Sequence, residues 1–107
     1  MITKRLFEKA QKIVVKKVEE TPTRVFVHMV YVDRTGRHEG IVDLDLTVEP
    51  DITNIKDILW CECLYCSTYN MNTKDLCALK IRAIKELTQR KIIKSDIWNA
   101  ILDEVRE

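Results

Sequence analysis

Two apolar runs joined by a turn limit the fold more than anything else in the chain. In "RVFVHMVYVD", residues 24–33, Val25, Val27, Met29 and Tyr31 fall on one side, and Phe26, His28, Val30 and Val32 on the other. A strand apolar on both sides belongs in the interior of a sheet. "DRTGRHEG" follows as a hairpin connection, with Gly36 suited to a left-handed backbone. "IVDLDLTV" then alternates, placing Leu44, Leu46 and Val48 inward and Asp43, Asp45 and Thr47 toward solvent, as in a half-exposed strand.

The flanking segments complete an order of α-β-β-β-β-α-α. Residues 3–12 form a short helix capped by Thr3, with Leu6, Phe7 and Ala10 on one face. "IVVKKVEE", residues 13–20, is β-branched and makes a first strand, which Pro22 ends. "ILWC" begins another short strand after the loop "EPDITNIKD". A helix starts at Asn72 or Thr73 and runs to about Lys91, with Leu76, Ala83, Ile84 and Leu87 opposite Arg82, Lys85, Glu86 and Gln89. Ser95 caps a last helix, 95–106, whose stripe is Ile97, Trp98, Ile101, Leu102 and Val105. The expected class is α+β: a small antiparallel sheet with a short N-terminal helix and two C-terminal helices. At 107 residues, the expected organisation is a single domain over 1–107.

The cysteines raise the question of chemistry. "WCECLYC" places Cys61, Cys63 and Cys66 within six positions, and "KDLCALKIRAIKEL" carries the fourth, Cys77. No run approaches the roughly 20 apolar residues of a membrane span, and the charged start "MITKRLFEKAQK" lacks a secretory signal's apolar segment. A cytoplasmic location is the resulting expectation. In a reducing compartment clustered cysteines are metal ligands more often than disulfides. Alternate strand residues point the same way, so Cys61 and Cys63 face one point, a turn returns Cys66 to them, and Cys77 adds a corner from a helix. Four thiolates around one zinc ion leave no open position, and so make a structural site over 61–77. An iron–sulfur cluster, and core or redox thiols without metal, are the competing readings. Four thiolates on Zn2+ carry net negative charge and favour a nearby cation. Lys80, one helical turn from Cys77, either neutralises the site or runs its stem past the core to water. Trp60 is expected to pack beneath the site.

"WCECLY…KDLCALKIRAIKEL" resembles the SWIM zinc-finger family, in which C-x-C at a strand end precedes a loop and then C-x-H opening a helix. Cys61, Cys63 and Cys77 match, and the resemblance spans roughly residues 5–90. Where the family has its histidine, this chain has Leu79, so Cys66 is the expected replacement; His28 and His38 are the other donors the sequence offers. The resemblance implies binding to DNA or to proteins, not catalysis. Consistent with this, no Ser/His/Asp set or glycine-rich phosphate loop is evident, and neither an enzyme nor a small-molecule substrate is expected.

The formal net charge is only +1, but it is unevenly spread. Residues 1–17 hold six bases against Glu8, residues 18–57 nine acids against four bases, and residues 74–94 seven bases against two acids. A nucleic-acid surface would combine Lys9, Lys12, Lys16 and Lys17 with Arg82, Lys85, Arg90 and Lys91, and Tyr65 and Tyr69 would stack on bases. The alternative is a protein-interaction adaptor. In it the zinc is purely structural, and the acidic segments face a partner or a second copy of the chain.

Overall fold

In the computed structural model the described residues are 2–60, 64–69 and 76–106. Strand β1 (Ile2–Thr3) leads into helix α1 (Lys4–Gln11), and strands β2 (Val14–Glu20), β3 (Arg24–Asp33) and β4 (Gly36–Asp45) follow. A 3-10 turn (Ile52–Asn54) runs into helix α2 (Ile55–Trp60). Strand β5 (Cys66–Tyr69), helices α3 (Leu76–Gln89) and α4 (Asp96–Glu104), and strand β6 (Val105–Arg106) complete the order.

Thr3 stops β1 and starts α1 in the expected way, its hydroxyl accepting a hydrogen bond from the Leu6 N–H at 3.1 Å. The β3–β4 hairpin is tighter than its eight-residue signal suggested. Asp33 pairs with Gly36 across only Arg34 and Thr35, and Gly36 has φ +117°. The Asp33 carboxylate accepts from the Thr35 N–H at 2.8 Å and from its hydroxyl at 2.6 Å, which fixes the turn and draws the acid down to about 2.

The antiparallel sheet has the order β2-β3-β4-β5, so β3 is interior as its composition required. Among the described residues, only one face is covered. Val25, Val27, Met29 and Tyr31 of β3, Val42 and Leu44 of β4, and Cys66 of β5 are buried there. Leu44 pairs with Val25 on one side and with Cys66 on the other, making one continuous apolar row. α3 packs on this face against β4 and β5, flanked by α1, α2 and α4. Each fully buried Leu or Ile in that layer contributes roughly 2 kcal/mol by area.

Three sequence expectations are corrected, and a fourth in part. The described part of "ILWC" is not a strand: Ile58, Leu59 and Trp60 end α2, because Ile55, Ile58 and Leu59 recur at helical spacing and bury together. β4 ends at Asp45, whose carboxylate accepts from the Thr47 N–H and hydroxyl and turns the chain, so Leu46 is 37% exposed rather than inward. Asp43 is on the uncovered face yet only 4% exposed, because the Arg24 guanidinium grips it in two bonds of 2.9 and 2.7 Å. Ser95 stands at the expected N-cap position of α4 but makes no side-chain cap bond: its backbone is already in the αR region, and its carbonyl accepts from the Asn99 N–H.

The C-terminal helix is also shorter than 95–106. α4 closes at Glu104, and Val105 and Arg106 pair in parallel with Ile2 and Thr3, tying the two ends of the described chain together. Ile97 and Ile101 of its stripe are buried, whereas Leu102 is 44% exposed. The predicted starting cap at Asn72 or Thr73 lies outside the described residues. The other end of the long helix falls where expected. Lys91 takes φ +61°, the Ile92 N–H reaches the Leu87 carbonyl, and the Lys91 N–H reaches that of Thr88, a Schellman closure. Among the described residues, no helix is long and apolar enough to cross a membrane.

Candidate metal centre and binding surface

Cys66 begins β5 with its side chain on the covered face of the sheet, fully buried beside Leu44. Cys77 is on α3, which packs against β5, and is 4% exposed. The fold therefore brings two of the four proposed ligands to the same sheet–helix interface. Cys61 and Cys63 lie outside the described residues. Among the described residues, no three His, Cys, Asp or Glu side chains converge in a way that would hold a metal ion.

Residues Cys77, Ala78, Leu79, Lys80 and Ile81 are all buried in succession. This run leaves Lys80 no way out, and its relative exposure is 0%. Its ammonium donates to the Ile58 carbonyl at 2.9 Å, across 22 residues of sequence. The snorkelling alternative is thus overturned: the neighbouring helix closes the path to water that a long stem would need. The same ammonium is near enough to Cys77 to pull on its proton. Burial is nevertheless the larger influence and pushes the Cys77 thiol up to about 12. A thiol at a helix start ordinarily ionises more easily, but for Cys77 desolvation reverses that tendency. A metal bound by Cys77 would have to displace this proton, as coordinating thiols do.

Ile58 is in the last turn of α2, three residues before Cys61. Lys80 therefore bridges α3 near Cys77 to the chain entering the C-x-C pair. Trp60, expected beneath the site, is 44% exposed, because Ile58 and Leu59 take the inward positions of α2. The two histidines are elsewhere. His28 sits on the uncovered sheet face, 2.8 Å from Glu19, and His38 stacks on Tyr31 and contacts Asp33 at the hairpin.

The residues assigned to nucleic acid are largely occupied within the molecule. The Arg82 guanidinium donates to the Ile13 carbonyl at 3.0 Å and pairs with Glu86 at 3.0 Å. Lys85 bonds Gln11, so both side chains fasten α3 to the end of α1. Arg90 pairs with Glu86 at 2.8 Å, and Lys17 with Glu19 at 3.0 Å. Tyr65 is buried, and the half-exposed Tyr69 donates to Asp43 at 3.3 Å. Lys9 lies over the Tyr31 ring, 5.7 Å from its centre. Lys12, Lys16 and Lys91 are exposed. Lys80 was legible as an anomaly in the sequence, a cation in an apolar arc; the Asp43–Arg24 grip was not, since its partners are 19 residues apart.

Compared with known protein families, curated proteins and solved structures, the chain matches none.

Proposed function

We propose that the chain is a small non-catalytic zinc module that docks onto a partner protein, with Cys61, Cys63, Cys66 and Cys77 holding one Zn2+ that fixes the sheet edge to α3. The observation that carries the metal reading is the cation enclosed beside Cys77: Lys80, fully buried and tied to the Ile58 carbonyl. A four-thiolate zinc has net negative charge and gains from such a neighbour, whereas an apolar core gains nothing from it. From the resemblance to SWIM domains this reading keeps the ligand pattern. It departs from them in the element before Cys61, which is the helix α2.

What favours protein over nucleic acid is the commitment of Arg82, Lys85, Arg90 and Lys17 to internal partners, and of Tyr65 to the core. A phosphate would have to compete with those contacts for each base. Zinc coordination by free thiols fits a reducing compartment such as the cytoplasm. The discriminating experiment is a titration with mixed-sequence duplex DNA at several salt concentrations. The reading expects no appreciable binding even at low salt. Tight binding that weakens steeply with added salt would return the basic segments to a phosphate-binding role.

A further inference from the structure

The outer strand of the sheet carries an arrangement of charges that fits itself. β2 pairs with β3 on one side, and with no described strand on the other. Such an edge presents backbone donors and acceptors that a further strand can take up. Along it, Lys16, Lys17, Glu19 and Glu20 are exposed on either side of the half-buried Val18. We propose that β2 pairs antiparallel with β2 of a second copy of this chain about a two-fold axis at Val18.

In that register Lys17 stands opposite Glu19 of the second copy, and the symmetry repeats the pair; Lys16, the bulged residue, lies outside the regular segment. The two charged residues that share the uncovered face, Lys17 and Glu19, then each face an opposite charge. Moving the axis by one residue sets Lys17 against Lys17, or Glu19 against Glu19. The charges therefore select the register as well as the partner. The local geometry suits this pairing. A bulge falls between Val15 and Lys17, and from Lys17 to Glu20 the strand is regular. Lys17 and Glu19 already share the uncovered face, 3.0 Å apart, and Glu19 also meets His28 at 2.8 Å. Across the new boundary, the second copy's lysine would extend this line of charges. Such a contact is isologous, so it closes at two copies.

This inference deepens the interaction reading by naming the partner, but it requires no metal. Zinc content and DNA titration are independent of it, so failure here would leave those results standing. The rival explanation is that the lysines blunt the edge against pairing.

Sedimentation of the full chain over a concentration series decides between them, with circular dichroism confirming that each variant is folded. The wild type is expected to shift toward twice the mass of one chain as concentration rises. Lys17→Glu and Glu19→Lys should each weaken this association roughly tenfold, by creating like-charge pairs at both symmetric positions. Mixing the two variants restores opposite charges at both positions, and should restore association. A wild type that stays monomeric throughout, single variants that associate like the wild type, or a mixture that does not associate would each overturn the proposal.

Discussion

The two halves of α3 are built differently. From Cys77 to Ile81 every residue is buried, the cation included, whereas from Arg82 to Gln89 buried residues alternate with partly exposed ones in a helical stripe. The second half is an ordinary covering helix, with one face on the sheet and ion pairs on the other. The first half is enclosed by the sheet edge and α2, and its apolar pattern has no period because no face is left out. What the difference teaches is that a charge in the second half meets its partners at the rim of the helix, part exposed, whereas a charge in the first must have a partner inside. Lys85 and Lys80, five residues apart, are the matched cases.

The largest expected effect therefore separates those two lysines. Lys80→Ala removes a buried stem and orphans the Ile58 carbonyl, and should cost about 3 kcal/mol in urea unfolding. Lys85→Ala should cost under about 1 kcal/mol; equal losses would break the comparison. Lys80→Met sharpens it, since an apolar side chain of similar shape should recover the packing share of that loss, leave the Ile58 carbonyl unpaired, and loosen the hold on zinc.

Leu79→His comes next. The substitution restores the histidine of the C-x-H pattern, but at a position with 0% exposure. The account expects a loss of about 2 kcal/mol, with no gain in zinc retention, measured by unfolding and by competition with a chelator. Smaller, and of opposite sign, is Lys91→Gly just past the second half. Lys91 holds φ +61°, where glycine is at ease, so the melting temperature should rise by the equivalent of about 1 kcal/mol.

The smallest effect is acidic. Arg90 and Arg82 hold Glu86 below its ordinary value of 4.5. A depressed acid stabilises the fold above its unfolded pKa and loses that contribution as pH falls through the folded one. Amide exchange in residues 82–89 should therefore accelerate, relative to 77–81, as pH drops below about 4.5.

The division within α3 was half legible in the sequence. Helical periodicity marked Ala83, Ile84 and Leu87 correctly, since a one-sided helix leaves a repeating signal. It could not say which side enclosed Lys80, because that depends on α2, and "ILWC" is too short for its period to separate strand from helix. The interior place of β3 was readable from its two apolar sides. The burial of Asp43 and the pairing of β1 with β6 were not, for each depends on residues far apart in sequence. Within the candidate site, spacing brought the cysteines to notice, and the fold added that Cys66 and Cys77 sit at one interface. The internal contacts of two residues in the basic set were not readable, for a physical reason: Arg82 and Lys85 are long enough to reach the Ile13 carbonyl and Gln11, 69 and 74 residues earlier in the chain.

Elemental analysis of the natively purified chain, read beside the visible spectrum of its cobalt(II)-exchanged form, addresses the metal directly. The account predicts one zinc per chain, and intense thiolate-to-cobalt absorption that weakens when either Cys66 or Cys77 is replaced by serine. A folded chain that contains no metal, and takes up cobalt without such absorption, would contradict it.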